Sequence, residues 1–282
     1  MFEPTAIAQP LSLLLLFGVG IVTGTLAGIF GIGGGLLIVP ALTLWRVELV
    51  QATATSLVGV FISSLSGSWR NWSQRQLDYR MALVLAVCGL PTAQLGAWLA
   101  ERVSESALAL SFACFMLVVM HLMNLKQKVK ELQVKEQEVK ERETTATQPL
   151  PAIAPSLPSE KPRDWPVIAL IGLLAGLLSG LFGVGGGTVM VPLQMIWLYE
   201  PIKSAVRTSL AAIVAIAASA LIGYAMQGNV LWQPGIALGL GGSLGAQWGT
   251  RLLHQLPSQR VTQLFRLLLI SLAIYMVSVS LS

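Results

Sequence analysis

The apolar residues of this chain fall in runs of roughly 20, the length a helix needs to cross a hydrocarbon core of about 30 Å at 1.5 Å per residue. Such runs occupy 11–30, 33–45, 50–69, 81–100 and 106–125, then 165–182, 186–198, 204–227, 230–250 and 264–281. Only 11% of the 282 residues are charged while 54% are hydrophobic. A soluble domain carries about 25% charged residues to coat its surface, and this chain has too few. The sequence specifies an all-α polytopic membrane protein. The net charge of +5 does not mark a nucleic-acid binder, because the Lys and Arg residues sit in the gaps between apolar runs rather than in a basic stripe. Cys88 and Cys114 lie inside apolar runs without metal-site spacing and read as packing residues. The first ten residues carry Glu3 and no Lys or Arg, unlike the basic start of a signal peptide, so the first apolar run is expected to be kept.

Two membrane halves are joined by a stretch of different character. Residues 1–125 form the first, 126–164 a charged and Pro-rich linker, and 165–282 the second. The linker begins as a helix with Leu125, Val129, Leu132 and Val139 on one side and mixed charges elsewhere, and continues as a Pro-rich tether. A solvated helix accounts for its first part; a short coiled coil or a partner contact is the competing reading.

The halves are repeats. GVGIVTGTLAGIFGIGGGLLIVP matches GLLAGLLSGLFGVGGGTVMVP at an offset of 152 residues. Gly20, Gly24, Gly28, Phe30, Gly31, Gly33, Gly34, Gly35 and Pro40 meet Gly172, Gly176, Gly180, Phe182, Gly183, Gly185, Gly186, Gly187 and Pro192. Thr55-Ser56-Leu57 and Thr208-Ser209-Leu210 follow, with the offset one residue larger. An ordered series of this kind records duplication. Charge then sets orientation. If the first two segments of each half form a there-and-back pair, sixteen of the eighteen Lys and Arg residues share one side, and only Arg46 and Arg102 fall on the other. The positive-inside rule puts the linker in the cytoplasm and both termini outside. Five segments per half make the second half upside down relative to the first: an inverted repeat. Counting each Gly-rich pair once gives eight crossings, and counting every segment gives ten.

The glycines divide into two groups. Those at 20, 24, 28 and at 172, 176, 180 have the spacing of close helix-packing faces. The GxGGG tracts cannot continue a helix well, since each glycine costs about 1 kcal/mol against alanine. The apolar pieces after them, 33–45 and 186–198, span only about 20 Å. Neither tract ends in Lys-Ser/Thr or follows a strand, so nucleotide-binding loops do not fit. Broken or re-entrant helices with tips inside the membrane do fit, and such backbone must be buried in protein or line a wet cavity. Each tip opens a helix, so free N–H groups and a positive dipole end would meet there and favour an anion. The candidate substrate-binding residues are Gly33, Gly34 and Gly35 with Gly185, Gly186 and Gly187, together with the hydroxyls of Thr55, Ser56, Thr188, Thr208 and Ser209 and the cation of Arg207. For each hydroxyl the competing reading is a bond back to its own helix, and for Arg207 it is anchoring at the membrane surface. Gln94 and Gln247 read as polar packing. No Ser-His-Asp set, carboxylate pair or His-rich cluster lies at membrane depth, so neither catalysis nor a metal or other cofactor is expected.

At GIFGIGGGLLIVP and GLFGVGGGTVMVP, each followed by Thr-Ser-Leu, the sequence resembles the TauE/SafE family of sulfite exporter-like permeases. The resemblance spans both halves and leaves 126–164 outside. It implies a permease of the bacterial plasma membrane that moves a small sulfur-containing anion such as sulfite, thiosulfate or an organosulfonate. With no carboxylate or histidine relay inside a predicted span, voltage-driven export is the expected direction. A carrier or channel for another anion, and a non-transporting scaffold or sensor acting through the linker, are the alternatives. The lipid bilayer is the one assured partner; a homo-oligomer or a protein bound to the linker is compatible with the sequence.

Overall fold

The computed structural model describes residues 10–74, 77–118 and 164–257, and beyond them 260, 261, 263, 264, 267, 268, 270, 271 and 274. The linker, and with it the expected charged helix, lies outside the described residues, as does most of the run at 264–281. Among the described residues there are helices and no strands. In chain order these are α1 (Pro10–Phe30), α2 (Gly35–Leu44), α3 (Leu49–Ser73), α4 (Tyr79–Ala100), α5 (Glu105–Val118), α6 (Trp165–Phe182), α7 (Gly187–Trp197), α8 (Ile202–Met226) and α9 (Trp232–Gln255). The described residues 260–274 are helical as well. Five helices, α1, α3, α4, α6 and α8, are long and apolar enough to cross a membrane. At 24 residues α9 is also long enough, but it carries Gln233, Gln247, Thr250 and Arg251 among its apolar residues.

Small residues decide how the helices pack. With lipid on the outside there is no hydrophobic gain in helix association, so close van der Waals approach has to supply the stability. A methyl group built on Gly20, Gly24 or Gly28 would overlap the carbonyls of Leu238, Gly242 and Ala246 on α9. One built on Gly172, Gly176 or Gly180 would overlap the carbonyls of Leu85, Gly89 and Ala93 on α4. The six glycines thus seat α1 on α9 and α6 on α4 at backbone contact. Their partners repeat as well: Leu85, Gly89, Ala93 and Gly96 correspond to Leu238, Gly242, Ala246 and Gly249. We expect Gly24→Leu or Gly176→Leu to abolish the monodisperse folded species in detergent. Overpacking costs about 1–3 kcal/mol where a core can yield, and backbone directly opposite cannot yield.

Polar bonds between helices follow the same reciprocity. The Gln94 side-chain amide donates to the Ser219 carbonyl, and Ser219 Oγ donates to the Leu90 carbonyl at 2.9 Å, joining α4 to α8. The Gln247 amide donates to Ser66 Oγ at 3.2 Å, and Ser66 Oγ donates to the Ser243 carbonyl at 3.0 Å, joining α9 to α3. Both glutamines act in packing.

The contact levels fix helix direction. Gly20, Gly24 and Gly28 climb α9 in step, and Gly235 and Gly239 of α9 meet Val58 and Ile62 of α3, so α1, α3 and α9 run the same way. Gly172, Gly176 and Gly180 climb α4 in step, and α4 rises with α8 through Gly89–Ile216 and Gln94–Gly223. Along α3 and α8 the order reverses: Val60 lies level with Ile213, and Gly67 with Leu210. Corresponding helices, α1 and α6, α3 and α8, α4 and α9, therefore point in opposite directions. Each half contributes its first helix to the other half's fourth, the pattern of a two-fold exchange.

Candidate functional site

The two glycine tracts fold alike. Gly31, Gly33 and Gly34 have φ of 71°, 76° and 88°, and Gly183, Gly185 and Gly186 have 66°, 79° and 74°. These left-handed values suit glycine alone among the residues present nearby. They break the helix and turn the chain between α1 and α2 and between α6 and α7. Gly34 and Gly186 are the N-caps, and neither helix start receives a side-chain cap. The opening N–H groups and the positive end of each dipole are thus left at the tip. Both short helices contain an interior proline, Pro40 and Pro192, which can give no N–H to the carbonyl four residues earlier. Two residues beyond each helix the chain takes a left-handed conformation at a non-glycine residue, Arg46 and Tyr199, with φ of 58° and 55°.

The tips meet. The α-carbon of Gly35 faces the Gly183 carbonyl and Val184, and that of Gly187 faces the Gly31 carbonyl and Ile32. A side chain on either would strike the opposite tip. Val60 and Ile213, corresponding residues of α3 and α8, each lie against both Gly33 and Gly185 and fill the remaining space. The tracts are buried throughout. The tips are therefore closed on each other at backbone contact.

Of the sequence candidates, Gly33, Gly34, Gly35, Gly185, Gly186 and Gly187 come together at this junction. Ser56 joins them: its one hydroxyl hydrogen is shared between the Gly183 carbonyl, 2.8 Å away, and the Thr53 carbonyl of its own helix, 2.7 Å away. Thr188 is buried directly after Gly187, and its Oγ1 has no hydrogen-bond partner. The remaining hydroxyls are engaged elsewhere. Thr55 Oγ1 accepts the Leu231 N–H at 3.1 Å, just before α9 begins. Thr208 Oγ1 donates to the Ser204 carbonyl at 2.9 Å, a bond back along its own helix. Ser209 Oγ accepts from the Gln194 amide at 3.1 Å. Arg207 is half-buried and follows Val206, whose backbone packs against Gly31.

Two residues escaped the sequence reading. Ser63 Oγ donates to the Gly33 carbonyl at 3.0 Å. The hydroxyl of Ser64 is fully buried without a partner and lies 3.2 Å from where a Gly33 side chain would begin. The signal sought was a hydroxyl repeated in both halves. Ser63 and Ser64 are not repeated, because Ile216 and Ala217 stand at the corresponding places.

Charge is unequal at the two ends of the bundle. Arg70, Arg80, Lys203, Arg207 and Arg251 lie where α3 and α9 end and α4 and α8 begin. Arg46 and Arg102 lie at the other end, with Glu48, Glu101 and Glu105. Glu105 accepts the Leu49 N–H at 2.8 Å, holding the start of α5 to the start of α3.

Paired helices with glycine tips meeting inside a bundle of membrane-length helices define a multi-pass membrane protein of transporter type. The comparisons agree. The family profile described as "Sulfite exporter TauE/SafE" matches residues 16–276, and the chain belongs to the TauE/SafE family. It is 25% identical to the probable membrane transporter protein YunE of Bacillus subtilis, over 92% of this chain and 95% of that one. It is 26% identical to a probable membrane transporter protein of Xylella fastidiosa, over 94% and 95% of the two chains. The probable membrane transporter protein MJ0441 of Methanocaldococcus jannaschii is 28% identical, over 74% of this chain and 71% of its own. No solved structure matches.

Proposed function

We propose that this protein is a permease that exports a small sulfur-containing anion across the bacterial plasma membrane, and that it is built as an inverted repeat with two re-entrant tips. The observation that carries the reading is the meeting of Gly31–Gly35 with Gly183–Gly187 at backbone contact, with the uncapped starts of α2 and α7 at the junction. Converging helix N-termini suit an oxyanion, as in other carriers made of inverted repeats and broken helices. The family's description supports sulfite as cargo, and thiosulfate and organosulfonates are oxyanions of the same chemistry. The closed junction corresponds to a state between openings, so transport requires the halves to rock and separate the tips.

The opposed directions of corresponding helices support the inverted topology, and the gathering of Arg70, Arg80, Lys203, Arg207 and Arg251 at one end supports placing that end, with the linker, in the cytoplasm. The residues that would report directly on this, Ser159 and Ser282, lie outside the described residues. In a background without Cys88 and Cys114, a cysteine at Ser159 is expected to react with an impermeant reagent only from the cytoplasmic side, and one at Ser282 only from outside. Reaction of both from the same side would overturn the topology.

Function is tested by reconstitution. Purified protein in liposomes is expected to carry labelled thiosulfate, with sulfite and sulfoacetate competing and chloride competing weakly. Flux equal to that of protein-free liposomes for all three sulfur anions would remove the permease reading. Deletion of 127–160 is expected to leave flux in place; dependence of flux on that segment would favour a role centred on the linker.

A further inference from the structure

The duplication makes every departure from symmetry informative, and the departures gather on one side of the tip junction. Ser63 and Ser64 border Gly33 where the other half has Ile216 and Ala217. Thr188 follows the glycine that abuts Gly31 and Ile32, where the other half has Leu36. The tip at Gly31–Gly34 is thus bordered by the hydroxyls of Ser63 and Ser64, with Thr188 directly after the glycine packed on it, and the corresponding places around the tip at Gly183–Gly186 hold Ile216, Ala217 and Leu36. The hydroxyls of Ser64 and Thr188 are within 1% of complete burial and lack hydrogen-bond partners. A buried polar group without a partner is costly, so these two are poised to bond to something not part of the fold. Ser179, one turn before Gly183, also has an unpartnered buried hydroxyl, and it stands alone on its side.

The cations depart from symmetry in the same direction. Gly67 of α3 packs near Leu210 of α8 and Thr250 of α9. Arg70 lies one turn beyond Gly67, Arg207 one turn before Leu210, and Arg251 beside Thr250. Arg70 and Arg251 are close enough to repel each other. Their counterparts in the other half are Gly223, Ala54 and Trp98. Asn71 adds a further unsatisfied group: it is buried at the place corresponding to Tyr224, whose hydroxyl reaches the Gly180 carbonyl at 2.7 Å. The shorter amide leaves its nitrogen without a partner.

We infer that the anion site is lopsided: an oxyanion is held at the Gly31–Gly34 tip by the hydroxyls of Ser64 and Thr188, with Arg70, Arg207 and Arg251 forming a basic mouth that delivers it from the linker end. The tip at Gly183–Gly186, where the Ser56 hydroxyl is already bonded to the Gly183 carbonyl, then serves as the barrier on the far side. Two buried hydroxyls without protein partners match an oxyanion, which accepts only, better than a cation. A basic mouth raises the local anion concentration and the rate of entry. This inference rests on the permease reading above.

The test uses the full chain in detergent and in liposomes. Ser64→Ala copies the residue in the other half, and Thr188→Val keeps the shape, so both are expected to elute and unfold like the wild type. By titration calorimetry with sulfite and with thiosulfate, each is expected to weaken binding at least about tenfold, the size of one lost charge-assisted bond, while Ser179→Ala changes it less than twofold. Arg70→Gln and Arg251→Gln are expected to raise the KM for thiosulfate presented at the linker side several-fold at low salt, with no change from the other side and little at high salt. Wild-type affinity in both Ser64→Ala and Thr188→Val, or an equal loss in Ser179→Ala, would overturn the lopsided site while leaving the permease reading intact. Equal effects of the arginine changes from both sides would overturn the basic mouth. A wild-type protein that neither binds nor carries either anion would take down both readings together.

Discussion

Gly35→Ala combined with Gly187→Ala is expected to reduce anion flux to the protein-free background while the protein still inserts and purifies. Each added methyl points at the backbone of the opposite tip, the Gly183 carbonyl for one and the Gly31 carbonyl for the other. Overpacking of this kind costs about 1–3 kcal/mol per site, and here the tips can relieve it only by staying apart. A carrier whose tips cannot close cannot pass through the closed state between its openings, so the transport cycle stops even if the helices around it remain packed. Gly34→Leu and Gly186→Leu should fail as well, by a different route. Their φ values of 88° and 74° lie in the left-handed region, which costs an L-residue about 1–2 kcal/mol. Gly18→Ala is the control, because nothing lies within 4 Å of the position its methyl would take. Flux, size-exclusion profile and thermal midpoint are read together. Wild-type flux in the double alanine variant would show that contact between the tips is not a step in transport.

Export is expected to follow the membrane potential with no added ion gradient. Asp and Glu among the described residues sit at helix ends or in the turns between helices, not at mid-span. A proton relay at membrane depth would need such a group or a histidine. Voltage suffices instead: each negative charge leaving an interior at −100 mV gains about 2.3 kcal/mol, and a dianion about 4.6 kcal/mol. That is an equilibrium ratio of more than about a thousandfold for thiosulfate at this potential. In liposomes with a potassium–valinomycin potential, and neither a pH nor a sodium gradient, thiosulfate should leave the negative compartment and accumulate in the positive one. Flux indifferent to the imposed potential but driven by a proton or sodium gradient would reject this.

Much of the helical layout was legible because hydropathy and glycine spacing are local properties. Runs at 11–30, 165–182 and 204–227 became α1, α6 and α8 within two residues at each end. The break after Phe30 and Phe182 was legible because clustered glycines disfavour helix, whatever surrounds them. The packing role of Gly20, Gly24 and Gly28 and their counterparts could be read from spacing, but not the partners. That α1 takes α9 and α6 takes α4, each from the opposite half, depends on backbone-to-backbone fit between segments more than 200 residues apart in one case.

The candidate site divides along the same line. Duplication pointed to both glycine tips, because a repeated motif is visible without coordinates. It could not say which hydroxyls face a tip, since helix phase and neighbouring helices settle that. Thr55 and Thr208 have the repetition that drew attention to them, yet one caps the approach to α9 and the other bonds back to its own helix. Ser63 and Ser64 have no repeated partner and passed unnoticed, yet they lie on the tip. The sequence by itself determined that the chain is helical, membrane-length and twofold repeated, because those follow from composition and order along one dimension. Only the tertiary structure decided that the two tips touch and that their surroundings are unequal, because contact between tips and the burial of an unrepeated serine are set by how six helices from two halves interlock.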